Sequence, residues 1–295
     1  MEKIILSEGL SLSRIGLGCM SLPEDVSQSE QILRAALESG ITFWDTADLY
    51  QKGWNEEMIG KLLPTVREQI TLATKGGNEW NSDGNSWSWN PRREYLIQAL
   101  DKSLLRLKTD YIDLYQLHGG TMEDPWEEVF EAFELMKSQG KIRAFGISSI
   151  RPNVVRKVLS MNSPATIMSQ YSPLDRRPEE DIFPQVEKTN TRILVRGALA
   201  KGLLIDKVSQ AYLDYSIAEV NQIKNGITES GYSPLAVLMR FGLEQKAVGS
   251  LVLGASNPDQ VKQFARAFEE QKKIPSGLID LLKSKYSANR YREHR

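Results

Sequence analysis

The stretch ITFWDTADLY, residues 41–50, is a short apolar run that ends abruptly on an acid and a tyrosine. The same pattern, an apolar run closed by a polar residue, returns at ITLATK (70–75) and IDLYQLH (112–118). Working outward, five further runs occur at IGLG (15–18), IRAFGIS (142–148), ATIMSQ (165–170), RILVRG (192–197) and GSLVLG (249–254). All eight are apolar on both faces rather than alternating. That is the mark of parallel strands buried between a core and covering helices. Between them lie apolar residues at helical spacing. In SQSEQILRAALESG (27–40) these are Ile32, Leu33, Ala36 and Leu37, and in RREYLIQALDKSLLRL (92–107) they are Leu96, Leu100, Leu104 and Leu107. PWEEVFEAFELMKSQG (125–140) reads as a third helix, and others are expected to begin near Pro152, Glu179, Lys207, Ser233 and Pro258.

Eight strands alternating with helices predict an α/β fold, a single (β/α)8 TIM barrel over residues 1–295, with an open doubly wound sheet as the competitor. No linker or composition shift divides the chain. An N-terminal β-hairpin, with KIIL and LSLSRI flanking Glu8-Gly9, is placed at the barrel bottom. The chain carries 37 Lys plus Arg against 38 Asp plus Glu, a formal charge of −1, which argues against a nucleic-acid partner because phosphate binding needs clustered cations. A lone Cys19 excludes an internal disulfide, and His118 is the single histidine outside the basic tail that starts near 286. Multi-histidine and multi-cysteine metal sites are therefore excluded. Neither a signal peptide nor a run of about 20 apolar residues is present, so a cytoplasmic protein without membrane contact is expected.

In such barrels chemistry gathers at the carboxyl ends of the strands. The polar residues there are Asp45, Lys75, His118, Ser148 with Ser149, Gln170 and Arg196. Each has an ordinary reading in isolation. Asp45 would cap a turn, Lys75 would be solvated, and His118 would be a satisfied core histidine. Jointly, with Tyr50, they have a chemical logic. A phenol's proton, normally lost near pH 10, becomes easier to exchange beside an ammonium, and a carboxylate keeps that ammonium charged and in place.

FWDTADLY, TLATK, YIDLYQLH, GKIRAFGISS, SQYS and GASNPDQV, in this order from about Leu12 to about Ala267, resemble the successive signatures of the aldo-keto reductase superfamily. The resemblance implies a barrel that uses NAD(P)H without a Rossmann domain. It assigns Asp45, Tyr50, Lys75 and His118 to a catalytic tetrad, with Tyr50 as general acid. It also puts Ser148 and Gln170 on the nicotinamide carboxamide, with Ser149 where the family often has Asn.

Arg196 stands where an aromatic ring often stacks, and a guanidinium plane can stack or reach the pyrophosphate. GALAKGLL resembles the loop that wraps the pyrophosphate, which brings in Gly197, Ala198, Leu199, Lys201 and Gly202. GASNPDQV would set Gly254, Ser256, Asn257 and Gln260 around the adenosine. Asn257 replaces a common Arg or Lys, and Phe264 a common Asn. NADP(H) is favoured over NAD(H).

Gly16-x-Gly18 with Ser21 only approaches a dinucleotide fingerprint, because the third glycine is missing and Pro23 follows. The stretch Gly76–Arg92 reads as a loop over the barrel mouth, and Trp80, Trp87 and Trp89 with Trp54 would wall an apolar substrate pocket. The last segment, KSKYSANRYREHR, reads as a solvated final helix and frayed tail. The expected activity is reduction of a small-molecule aldehyde or ketone. The competing readings are a Schiff-base enzyme built on Lys75 and a non-catalytic, redox-sensing subunit. Oligomeric state and physiological substrate are not legible in the sequence.

Overall fold

The structure is a computed structural model in which residues 1–6 and 9–295 are described. The strands in chain order are β1 (Lys3–Ile5), β2 (Ser11–Ser13), β3 (Ile15–Gly18), β4 (Phe43–Asp45), β5 (Thr71–Gly76), β6 (Asn78–Trp80), β7 (Trp87–Trp89), β8 (Ile112–Leu117), β9 (Ile142–Ser148), β10 (Thr166–Gln170), β11 (Arg192–Arg196) and β12 (Val248–Gly254). All eight runs read from the sequence become strands of one closed parallel barrel in the order β3-β4-β5-β8-β9-β10-β11-β12, with β12 pairing back onto β3.

The helices are α1 (Val26–Glu38), α2 (Trp54–Leu62), α3 (Arg93–Leu107), α4 (Trp126–Ser138), α5 (Pro152–Met161), α6 (Ile182–Val186), α7 (Ile217–Thr228), α8 (Pro234–Leu243), α9 (Pro258–Gln271) and α10 (Ser276–Lys285). Leu33 and Leu96 are among the helix residues buried in the cluster that also takes up Ile15, Leu72 and Ile147 from the strands. Helices and barrel thus share one packed layer.

β1 and β2 pair antiparallel, and Leu6, Leu10 and Leu12 join Phe43, Leu114, Met168 and Leu194 in a second apolar cluster. The N-terminal hairpin is therefore present and plugs one end of the barrel. Of its expected turn, Glu8 lies outside the described residues, and Gly9 has a φ of 74°.

Four local expectations are corrected. The stretch 76–92 is not an open loop: β6 and β7 form an antiparallel hairpin in which Trp80 pairs with Trp87. No helix begins at Lys207. α7 starts ten residues later, where Ser216 and Glu219 form a capping box that fixes its first turn. The helix expected near Glu179 shrinks to a 3-10 turn at Arg177–Glu179 and the five-residue α6. Nor is the tail frayed. Asn289 accepts from the Arg176 backbone N–H at 2.8 Å and donates to Leu174 O, the Tyr291 N–H donates to Glu180 at 3.0 Å, and Tyr291 is only 7% exposed. These contacts join residues more than a hundred positions apart, so no local reading of the tail reveals them.

Candidate active site

Asp45 closes β4 and Lys75 is the last residue but one of β5, and the two strands pair side by side. The Lys75 side chain has no exposure. Its Nζ donates to Asp45 Oδ2 at 2.7 Å, to Thr46 O at 2.7 Å and to Tyr50 Oη at 3.5 Å. Burial pulls the ammonium's pKa down, but the Asp45 carboxylate and the Tyr50 oxygen outweigh it and the net direction is upward. Burial likewise raises the pKa of the Asp45 carboxyl, with Lys75 and Gln116 opposing. Asp45 Oδ1 accepts from Gln116 Nε2 at 3.1 Å, which fixes the carboxylate from its other side.

Tyr50 opens a short turn, Tyr50–Gly53, whose next three residues all have left-handed φ values: Gln51 at 50°, Lys52 at 56° and Gly53 at 89°. This sharp reversal carries the chain from the barrel rim into α2, where Asn55 and Glu56 are buried. Asn55 bonds Thr46 Oγ1 and Cys19 O, while Glu56 accepts from Thr74 Oγ1 at 2.5 Å and Arg106 Nε at 2.7 Å. The residues flanking Asp45 and Lys75 are thereby tied to the helix that follows Tyr50.

His118 follows β8, and its N–H donates to Gly76 O at 2.8 Å. Its ring meets Tyr50 edge-on with centroids 5.9 Å apart. Burial first, then Lys75 and Arg196, pull the imidazole pKa down to about 3, so it is neutral across ordinary pH. Its buried Nδ1 has no partner among the described residues. The four residues read as a tetrad therefore meet at one rim. Gln116, Asn55 and Glu56 are the supports that sequence reasoning missed. Gln116 had a signal, since it is a polar residue inside an apolar run and two positions before His118.

On the opposite side of the rim, Gln170 ends β10 and Arg196 ends β11 in the paired register. Arg196 Nη1 donates to Gln170 Oε1 at 3.1 Å, and Gln170 Nε2 donates to Tyr212 Oη at 2.7 Å. Ser148 sits partly exposed at the end of β9. Ser149 is 6% exposed, and its Oγ accepts from the Arg151 N–H, so it serves its own turn. Beyond Arg196 runs a groove of about 570 Å³ lined by Gly197, Ala198, Leu199, Lys201 and Gly202 on one side and Gly254, Gln260 and Phe264 on the other.

Met20, Ser21 and Lys207 also line that groove and were not anticipated. A Cβ on Gly254 would lie 2.3 Å from Ser21 Oγ and 3.0 Å from its Cβ, so the glycine leaves room for the Ser21 side chain where those two loops approach. Asn257 does not line the groove: it caps α9 by accepting from the Gln260 N–H at 3.0 Å, and Ser256 bonds the Gln260 side chain. The lining fits an anionic dinucleotide, since small residues back the groove and its two cations, Lys201 and Lys207, outnumber its one acid, Asp206.

The four tryptophans do not form one wall. Trp89 donates to Asp124 Oδ1 at 2.9 Å and lays its ring against Gly77 and Gly119, beside His118. Trp80 carries the Lys52 ammonium over its ring and lines a separate 160 Å³ cleft with Asp48, Tyr95 and Arg106. Trp87 is 51% exposed, and Trp54 packs against the core as the first residue of α2.

Residues 14–283 match the model of the aldo/keto reductase family. The oxidoreductase YqkF of Bacillus subtilis (strain 168) is 41% identical, over 97% of this chain and 96% of that protein. The aldo-keto reductase yakc [NADP(+)] of Schizosaccharomyces pombe is 35% identical, over 64% of this chain and 59% of that protein. Among solved structures, the holo form of the aldo-keto reductase AKR11C1 from Bacillus halodurans superposes with a TM-score of 0.93 at 40% identity, covering 100% of this chain and 99% of that one. A closed eight-stranded barrel, a rim that gathers Asp45, Tyr50, Lys75 and His118, and near-complete sequence coverage lead to one assignment: the chain belongs to the aldo/keto reductase family of oxidoreductases.

Proposed function

We propose that this protein reduces a small-molecule aldehyde or ketone to the alcohol with a nicotinamide cofactor, NADP(H) in preference to NAD(H), as a cytoplasmic enzyme in which residues 1–295 act as one barrel unit. When bound, the reduced nicotinamide supplies the hydride, and the protein supplies position and a proton. Ser148 and Gln170 would hold the carboxamide end. The segment Gly197–Gly202 would follow the pyrophosphate, and Gly254, Ser256 and Gln260 the adenosine. The NADP(+) in the name of one relative and the two groove lysines support the phosphorylated cofactor.

The observation that carries the reading is the buried Asp45–Lys75 ion pair reaching Tyr50 Oη. An ammonium against a phenol favours the phenolate that remains after a proton has passed to the substrate oxygen, which is where charge develops. His118 is neutral. It can hydrogen-bond the substrate carbonyl without adding a competing positive charge, and its position edge-on to Tyr50 suits that task. The same ion pair speaks against a Schiff-base lysine, which must lose its proton to act as a nucleophile. The tetrad geometry likewise favours turnover over a silent sensing role.

Tyr50→Phe tests the mechanism. Carbonyl reduction is expected to fall by at least about 10²-fold, while NADPH binding, followed by tryptophan fluorescence, changes less than about twofold. Parental turnover in that variant would overturn the assignment.

A further inference from the structure

Across the rim from the tetrad, the Gln170 side chain is held at both ends. Arg196 donates to Oε1 at 3.1 Å and Tyr212 accepts from Nε2 at 2.7 Å. A guanidinium cannot accept, so the amide oxygen must face Arg196 and the nitrogen must face Tyr212. A primary amide has two N–H groups and two carbonyl lone pairs. After these two contacts one of each remains, and a second primary carboxamide presents the complementary set.

Tyr212 is itself fixed from elsewhere in the chain. It exchanges two backbone hydrogen bonds with Tyr215, both 3.0 Å, across a tight turn in which Leu213 has a φ of 49°. Buried Tyr215 donates its hydroxyl to Ser287 O at 2.8 Å, and Asp214 pairs with Arg292 at 2.6 Å. The C-terminal tail therefore holds the turn that holds Tyr212, and Tyr212 holds the Gln170 amide.

Resting on the nicotinamide reading above, we propose that Tyr212 is a positioning residue: with Arg196 it keeps the Gln170 amide in the one orientation that leaves an N–H and a lone pair for a carboxamide, and so selects carboxamide-bearing nicotinamides over analogues that lack the amide N–H. The site thus gains a specificity element from the turn at Tyr212, five residues past Lys207 of the groove lining.

The test uses the full chain with NADPH and with reduced 3-acetylpyridine adenine dinucleotide phosphate, in which a methyl group replaces the amide nitrogen. In Tyr212→Phe the Kd for NADPH, read by tryptophan fluorescence without substrate, and its KM are expected to rise about three- to tenfold, the value of one oriented hydrogen bond, with kcat within about twofold. The KM for the analogue should stay near the parental value, so discrimination falls by the same factor. In a Gln170→Leu background, adding Tyr212→Phe should change nothing further. Unchanged discrimination in Tyr212→Phe, or an equal effect in the Gln170→Leu background, would show that Tyr212 only packs the loop and would overturn the proposal. A parental enzyme inactive with NADPH and NADH would instead overturn the reductase reading, and this inference with it.

Discussion

Asp48 shows how far burial reshapes one residue beside the tetrad. Its backbone N–H donates to Lys75 O at 3.2 Å, and its Oδ1 is buried without a partner among the described residues. Burial first, then the neighbouring Glu56 carboxylate, raises its pKa to about 7, with Arg106 and Lys75 opposing. The folded state therefore holds a proton between about pH 4 and 7 that the unfolded chain has already lost. Stability falls as pH rises through that window. Asp48→Asn should match the parent at pH 4 and exceed it at pH 8 by about 1–3 kcal/mol, read from urea unfolding at the two pH values. An equal effect at both would mean that the carboxyl is not shifted.

At the scale of elements, α2 matters more than its nine residues suggest. It starts after the left-handed turn that follows Tyr50, carries buried Asn55 and Glu56, and packs on α3 through Gly60. A Cβ at Gly60 would lie 2.2 Å from Arg106 O and 3.0 Å from the Leu107 backbone. Backbone cannot step aside as a side-chain tip can. Gly60→Ala should push α2 off α3, costing about 1–3 kcal/mol as an overpacked contact. It should also lower kcat more than the KM for cofactor, because Arg106 and Glu56 shift together behind Thr74 and Lys75 while the groove is untouched. Thermal unfolding and steady-state kinetics read the two effects.

Over the whole molecule, the barrel separates two tasks. One end is sealed by the β1–β2 hairpin and its leucines. The rim opposite carries the tetrad on β4, β5 and β8 and the Gln170–Arg196 pair on β10 and β11. The groove proposed for the dinucleotide lies between the loops that follow β11 and β12. A ligand bound there touches segments that meet only in the folded state, so it stabilises the whole cooperative unit. NADPH at about 100 times its Kd should add about 2.7 kcal/mol and raise Tm by about 4–8 °C. NADH at the same concentration should raise it less. Equal shifts would remove the preference for the phosphorylated cofactor.

The barrel was legible in the sequence because its signal is local and repeated. Eight runs from Ile15 to Gly254 each carry enough apolar residues to declare a buried parallel strand, and the polar residues that close six of them then land on one rim by geometry alone. Asp45, Lys75 and His118 were readable for that reason, whereas Tyr50, five residues past Asp45, and the course from Gly197 to Gly202 were read through the resemblance to the aldo-keto reductases. Only the tertiary structure decided the rest. Whether the tail frays or packs depends on Leu174, Arg176 and Glu180, over a hundred residues away. The directions of Trp80 and Trp89 depend on a hairpin closing with Asp124 and Gly119 as neighbours. The clamp on Gln170 joins β10, β11, the turn at Tyr212 and the segment from Ser287 to Arg292. Periodicity along a chain reports which face each element buries, whereas the partner that meets that face is set by how the elements pack, and no spacing within a single segment encodes it.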